Sequence, residues 1–468
     1  MSDYPLAETE LAKLPAAWPE EPLIEIRQTL RDSKRKVVVL DDDPTGTQTV
    51  EDITVVTSWD IDTLTEAFAA PEPGFYILTN SRAFTESGTI DLHREILANL
   101  EKAAGDADYT IVSRSDSTLR GHFLAEANVI GEFKGPFDLT VLAPFFEAGQ
   151  RYTIGDTHYL VEGEKLIPCH DTPFAQDKVF GYNSAHLPSW VEEKTNGETK
   201  ASEVVTIPLE TIRKEGPEGV FKILEQAPTG SICIVNACST RDMEVFAEAV
   251  LRFEESGKNV LYRTAAAFVA SRLGIRPPPP LQAEFIANSK DRGGLIVVGS
   301  YVPKSSQQLE ALLALDELKA IELDVNTLLS ADAPQAYVTE LLDQVEQSLD
   351  AGDDVVVYTS RGLVFSEAKE ENLNIGGKVA DALVSIVEGL RESPGFVIAK
   401  GGITSSTVAT EGLKIRKANV LGQLVPGVPV WRAADDARFP QIDLVIFPGN
   451  VGGPHSLCEA YQKLRRIR

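Results

Sequence analysis

Cysteine is scarce in this chain: there are four in 468 residues, Cys169, Cys233, Cys238 and Cys458. They are too scattered for a disulfide framework, and the Cys233/Cys238 spacing does not suit a zinc knuckle, so a reducing, cytoplasmic setting is expected. No stretch approaches the ~20 apolar residues of a membrane-spanning helix. Residues Met1 to Pro22 are acidic and broken by proline, without the apolar segment of a secretory signal. The six histidines show no HxxxH or HxH spacing, so no histidine metal site is expected and no metal ligand is assigned. The GxxxxGK[ST] spacing is absent, and no GxGxxG follows the first strand, which argues against a dinucleotide dehydrogenase. Positive charge is short as well: 44 Lys and Arg face 70 Asp and Glu, a net charge of −26. Such a surface repels nucleic-acid phosphates and anionic membranes, and neither is an expected partner. An anionic substrate would have to meet locally placed Arg and Lys.

What is present is an ordinary globular composition, 43% hydrophobic and 24% charged. The chain exceeds what one core usually supports, so two domains are expected. Apolar strands alternate with polar loops and amphipathic helices. The expected fold class is α/β, with two domains that are each a mainly parallel sheet flanked by helices. The Pro277–Pro280 run reads as a stiff spacer. The expected division is an extension over 1–34, a first domain over 35–280 and a second over 281–468. Residues 144–200 lack a helical period and suggest a hairpin-bearing insertion.

One stretch, Val37–Thr49 (VVVLDDDPTGTQT), organises the first domain. An apolar run long enough for one buried strand ends on Asp41, Asp42 and Asp43, then breaks at Pro44 and Gly46. Adjacent carboxylates repel one another unless a metal, a cation or a proton-acceptor role compensates. A solvated strand end capping the next helix is the plain alternative. Two further strands end in polar clusters, Phe75–Leu78 in TNSR and Tyr109–Val112 in SRSDSTLRG. A parallel sheet puts all three on one edge, so the aspartates, Arg82, Arg114, Asp116 and Arg120 are expected in one cleft. Guanidinium groups suit a substrate carboxylate; an internal Asp116–Arg120 pair holding the loop is the alternative, and the two can coexist. His122 is expected to pack structurally.

In the second domain, Lys400–Ser406 (KGGITSS) sets two glycines and hydroxyl residues between a strand and a helix. Such a loop lets backbone N–H groups approach a phosphate, while a tight turn with Thr404 as N-cap is the alternative. A second loop, Gly449–Gly453, strengthens the phosphate reading, and Ser300 on the loop SYVPKSS could add a contact. The strand Asp354–Tyr358 opens into TSRG, Thr359–Gly362.

DDDPTGT, TNSRA, DSTLRG, PFFEAGQRYT, the Gly299-Ser300 loop, GGITSS, PGVPVW and PGNVGG occur in the order seen in the four-carbon acid sugar kinases, and the chain resembles that family over about residues 36–460. The resemblance implies an N-terminal domain that binds a sugar acid and a C-terminal domain that binds ATP, with transfer of the γ-phosphate to a terminal hydroxyl. It implies nucleotide contacts at Ser300, Gly401, Gly402, Ile403, Thr404 and Gly449. It implies acid-sugar contacts at the DDDPTG loop, Thr45 and Gly46 included, and at Arg82, Asp116 and Arg120. Two departures stand out. Phe447-Pro448 occupies the place where many relatives carry a lysine, so phosphate charge would be met elsewhere, Lys400 being the candidate. PFFEAGQRYT also differs from the commoner Pro-Glu-Ala-Gly-Arg wording.

The expected activity is therefore an ATP-dependent kinase of carbohydrate-acid metabolism, with magnesium on the phosphates and a tetronate or 3-oxo-tetronate as acceptor. Asp42 is assigned proton acceptance, with Asp41 or Asp43 next. Arg82 and Arg120 are assigned the substrate carboxylate, and Asp116 the orientation of hydroxyls or a share in holding magnesium. Domain closure across the proline run would exclude water. A non-catalytic sugar-acid sensor is the alternative, and a homodimer is expected from the resemblance alone.

Overall fold

The computed structural model describes residues 4–282, 286, 292–300, 302–361 and 369–465, residues 369–374 by their backbone alone. Tyr301 and Gly362, members of two expected strand-end loops, lie outside the described residues. The chain forms two compact units, Met1–Val50 with Trp59–Pro277, and Glu51–Ser58 with Pro278–Arg468. This division differs from the expected one in two respects. The N-terminal segment belongs to the first unit, where Arg213 donates to Pro15 O and Arg241 to Glu20 O. Glu51–Ser58, expected in the first domain, belongs to the second, because its strand pairs there.

The strands of the amino-terminal half are β1 (Lys36–Asp41), β2 (Ile53–Val56), β3 (Gly74–Leu78), β4 (Tyr109–Arg114), β5 (Leu139–Ala143), β6 (Arg151–Ile154), β7 (Thr157–Glu162), β8 (Lys165–Pro168), β9 (Val205–Ile207), β10 (Ser231–Val235) and β11 (Val260–Thr264). The first unit's main sheet runs β3-β1-β4-β11-β5-β10-β9, parallel throughout. Its strands read as continuous apolar runs because both faces are covered; Val37, Val38, Val39 and Tyr76 are fully buried. The helix Glu86–Ala104 shows how the layers form. Thr85 caps it by accepting from Gly88 N, and it buries His93, Ile96, Leu97, Leu100 and Ala104 at three- and four-residue spacings. The chain passes from β1 to β3 on one side and returns to β4 on the other. That reversal opens a crevice at the carboxyl end of β1. In the 144–200 region, β6, β7 and β8 form a separate antiparallel sheet.

The second unit adds β12 (Leu295–Val298), β13 (Leu318–Leu323), β14 (Asp354–Thr359), β15 (Val397–Lys400), β16 (Lys417–Val425), β17 (Val428–Ala433) and β18 (Asp443–Phe447). Its sheet runs β13-β14-β12-β15-β18 in parallel and continues through β17, β16 and β2 in antiparallel pairing. Ile296, Val298, Phe396, Ile398, Val445, Phe447 and Tyr461 share its core. The chain leaves β12 toward β14 and β13, then resumes at β15 on the other side, so the reversal lies between the ends of β12 and β15. The helix that follows the Ser300 loop spans Pro303–Leu313, with proline at its first turn, and β13 begins at Leu318. No helix among the described residues is long and apolar enough to cross a membrane.

Candidate functional site

In the first unit Asp41 lies beside Leu78 of β3 and Arg114 of β4 in register. Sequence-distant charges therefore meet at one sheet edge. Arg114, 4% exposed at its side chain, donates from Nη1 to Asp41 Oδ1 at 2.9 Å, Asp42 Oδ1 at 3.2 Å and Asp43 O at 3.3 Å. Arg82 Nη2 pairs with Asp43 Oδ2 at 2.7 Å, and its Nη1 stands 3.7 Å from Asp116 Oδ1. Arg82 Nε is 3.1 Å from Asp42 Oδ2, yet the geometry is out of line for a hydrogen bond, and both buried atoms are left without one. The three aspartates thus have three different surroundings.

Asp43 is a structural cap. Its Oδ1 accepts from Thr45 N at 2.9 Å and starts the 3₁₀ turn Pro44–Thr47. Burial pushes its carboxyl up, but Arg82, Arg114 and the Thr45 hydrogen bonds outweigh that and hold it below the usual range. Asp41 is packed under the turn: a Cβ on Gly46 would stand 2.1 Å from Asp41 Oδ2, so glycine is what lets the loop close over this carboxylate. Burial raises Asp41 to about 7 against the pull of Arg114. Asp42, 1% exposed, is raised by burial to about 6, with Arg82 and Arg114 opposing. Its Oδ2 faces Gly121, whose φ of +119° excludes most side chains; a Cβ there would come within 3.3 Å of that oxygen and 2.6 Å of Arg263 Nη2.

The DSTLRG loop is held from within and from below. Arg120 Nε pairs with Asp116 Oδ2 at 2.7 Å, and Thr118 donates to the same oxygen. Burial raises the Asp116 carboxyl, but Arg120 and Arg82 outweigh this and hold it far below the carboxylate range. The insertion supports the loop's main chain: His158 Nε2 bonds Ser117 O at 2.8 Å and Tyr182 Oη donates to Thr118 O at 2.9 Å. Burial pushes His158 down to about 4, which keeps the ring neutral. Beneath the cluster Glu126 accepts from Ser81 Oγ, Ser113 Oγ and Arg263. Glu126 and Arg263 escaped the sequence reading: one lies in the first turn of the helix Phe123–Lys134, and the other is a single strand-end arginine without a motif around it. His122 contacts Phe84 O and the Phe180 ring, a packing position as expected.

Arg82 and Arg120, assigned the substrate carboxylate from sequence, are each already paired with aspartates. The cavity lined by Asp116, Arg120, Trp190 and Arg263 is about 10 Å³, room for about one water molecule. Wider clefts of about 280 and 440 Å³ lie at the amino ends of the strands, near Tyr109, Val260 and Lys36. Chemistry and not volume marks the site.

In the second unit the expected residues gather at the ends of β12, β15 and β18. Gly401 has φ +116°, and a Cβ there would stand 2.9 Å from Ser300 Cβ; one on Gly299 would meet Thr404 Oγ1 at 2.3 Å. Ser305 Oγ donates to Ser300 Oγ at 3.0 Å and to Gly449 O at 2.9 Å, tying two loops together. Thr404 is not an N-cap, the alternative reading of this loop. The helix Gly402–Thr407 starts from Gly401, and Thr404 sits inside its first turn. Ile403 is 59% exposed.

Three cations stand at this edge, bonded to carbonyl oxygens and paired with no carboxylate among the described residues. Lys400 Nζ, fully buried, donates to Pro448 O at 2.5 Å and lies 4.5 Å from the Phe447 ring centre. Lys304 Nζ donates to Asn450 O at 3.3 Å. Arg361 Nη1 donates to Ser300 O at 2.6 Å, while its buried Nε and Nη2 have no hydrogen-bond partner among the described residues. Burial lowers Lys400 to about 7, with Lys304 adding to it. In a chain of net charge −26, cations without carboxylate partners at a glycine-lined sheet edge have the chemistry that suits an anion. The cradle and the orphaned Arg361 nitrogens fit the phosphates of a nucleotide. No group of three His, Cys, Asp or Glu among the described residues could hold a metal; magnesium carried on nucleotide phosphates calls for only one or two carboxylates.

Residues 37–272 match the sugar-binding N-terminal domain model and residues 295–457 the nucleotide-binding C-terminal domain model. The chain is 25% identical over 401 residues to a D-erythronate kinase of Heliobacterium modesticaldum, covering 82% of this chain and 85% of that protein. A solved Haemophilus influenzae structure, HI1011, aligns with TM-score 0.61 at 18% identity, over 91% of this chain and all of that one. A Salmonella typhimurium LT2 structure aligns with TM-score 0.66 at 18% identity, over 92% and 99%, and both report on the fold. With its paired sugar-binding and nucleotide-binding domains, the chain belongs to the four-carbon acid sugar kinase family.

Proposed function

We propose that the protein is an ATP-dependent kinase that phosphorylates a terminal hydroxyl of a small sugar acid of the tetronate or 3-oxo-tetronate type. The observation that carries this reading is Asp42 Oδ2, a buried carboxylate oxygen at a strand's carboxyl end with no hydrogen bond to accept. A carboxyl raised to about 6 is ionised at neutral pH and more basic than an exposed aspartate, as a general base requires. Asp41 and Asp43 are occupied by Arg114 and by the Thr45 turn, so Asp42 takes the hydroxyl proton.

ATP, when bound, supplies the transferable phosphoryl group. Toward it Gly401, Gly402 and Gly449 present backbone without side chains, Ser300 and Thr404 present hydroxyls, and Ile403 presents an exposed apolar surface. Lys400, Lys304 and Arg361 offset the phosphate charge, which answers the lysine missing at Phe447-Pro448. Magnesium would accompany the phosphates. The testing experiment is ADP release over a panel of tetronic, pentonic and 3-oxo acids. Turnover of a tetronate-type acid is expected; silence across the panel, with thermal stabilisation by an acid, would turn the reading toward a sensor.

A further inference from the structure

Arg151 is the odd cation of the first unit. It is 7% exposed, lies on β6 in the insertion, and has no carboxylate within ion-pair distance among the described residues. Its Nη1 donates to Gly149 O at 2.8 Å and its buried Nε has no hydrogen-bond partner. Nη2 makes no hydrogen bond either among the described residues. The position is specifically built. Gln150 turns the chain at φ 56°, and a Cβ on Gly149 would stand 1.8 Å from Arg151 Nη1, so only glycine lets the side chain fold back over its own loop. The Phe146 ring lies 5.9 Å beneath the guanidinium.

A desolvated guanidinium with one carbonyl partner is costly to hold, whereas Arg82 and Arg120 are already neutralised by aspartates. Arg151 pairs in register with Leu160 of β7, which shares a core cluster with Leu119 of the DSTLRG loop, and His158 two residues earlier on β7 bonds Ser117 O, so Arg151 lies in the locality of that loop. We propose that Arg151, and not Arg82 or Arg120, is the residue that grips the substrate's carboxylate, through the planar Nε/Nη2 edge that the fold leaves unpartnered. Two parallel N–H groups match the two oxygens of a carboxylate. The inference rests on the kinase reading for its substrate, and it makes Arg151 the determinant of acid over neutral polyol derivatives.

The test compares wild type, Arg151→Gln and Arg151→Lys with a tetronic acid and its uncharged amide. For Arg151→Gln the KM for the acid is expected to rise roughly 10²-fold, with the KM for ATP unchanged and discrimination between acid and amide erased. Arg151→Lys, which keeps the charge and loses the fork, should fall between. Thermal unfolding separates this from a structural role: the ligand-free midpoint of Arg151→Gln should not drop, while the rise caused by the acid disappears. An unchanged KM for the acid, or a lower ligand-free midpoint with the acid-induced rise intact, overturns the proposal and leaves the kinase reading standing. If wild type turns over no acid but binds one by calorimetry, and Arg151→Gln does not, the carboxylate site stands and the kinase reading falls. If wild type binds no acid at all, both fall.

Discussion

Asp42 Oδ2 and Arg82 Nε stand 3.1 Å apart, both buried, and share no hydrogen bond. The arginine thus keeps the carboxylate charged without occupying the lone pair that a substrate proton would use. Asp42→Asn preserves the shape and removes the basicity. Turnover should fall by ~10² or more while ATP affinity, measured by calorimetry, is retained. Near-normal turnover would take Asp42 out of the role.

The pH profile follows from the same burial. Asp42 and Asp41 are raised to about 6 and about 7, and as close neighbours they titrate as a pair. A base must be ionised, so kcat/KM should climb as pH rises through 6 to 7 and level above. Below that window it should lose about tenfold per pH unit. A profile flat from pH 5 to 8 would contradict the assignment.

Lys400 should couple nucleotide binding to protonation. Held near 7 by burial and by Lys304, it is mostly neutral at pH 8 in the free protein, and phosphates favour its ammonium form. Calorimetry at pH 8 in two buffers of different ionisation enthalpy should show proton uptake on ATP binding, much reduced at pH 6. Lys400→Met should abolish the uptake; uptake that survives in that variant points to another group.

Arg361→Gln should weaken ATP binding by ~10-fold to 10²-fold, the range for hydrogen bonds to charged groups, and leave binding of the acid unchanged. The lost Nη1 bond to Ser300 O is offset by relief of the two buried nitrogens without partners, so the ligand-free unfolding midpoint should hold. A fall in that midpoint with intact ATP affinity would make Arg361 a purely structural residue.

Gly46→Ala tests the packing beneath the acidic turn. Its Cβ would collide with Asp41 Oδ2 at 2.1 Å, so urea unfolding should show a loss of ~1–3 kcal/mol, as in other overpacked sites. An unchanged midpoint would mean that the turn shifts freely.

The sequence alone determined the alternation of elements and the two polar sheet edges, because strands buried on both faces write themselves as apolar runs such as Val37–Leu40 and their ends as polar clusters. It named DDDPTGT, DSTLRG and GGITSS as site loops, since glycine and adjacent charge are local signals. Only the tertiary structure separated the three aspartates. Asp41 is covered by Gly46, Asp43 caps Thr45, and Asp42 Oδ2 is left without a hydrogen bond, because the positions of Arg82 and Arg114 depend on the β3-β1-β4 register. The same holds for Ile53–Val56, which sequence order places with the first domain and strand pairing places with the second. Arg151 and Arg361 lie in PFFEAGQRYT and TSRG, but the sequence assigned neither a role; what distinguishes them is buried nitrogens without partners among the described residues, a property that exists only after the chain has folded.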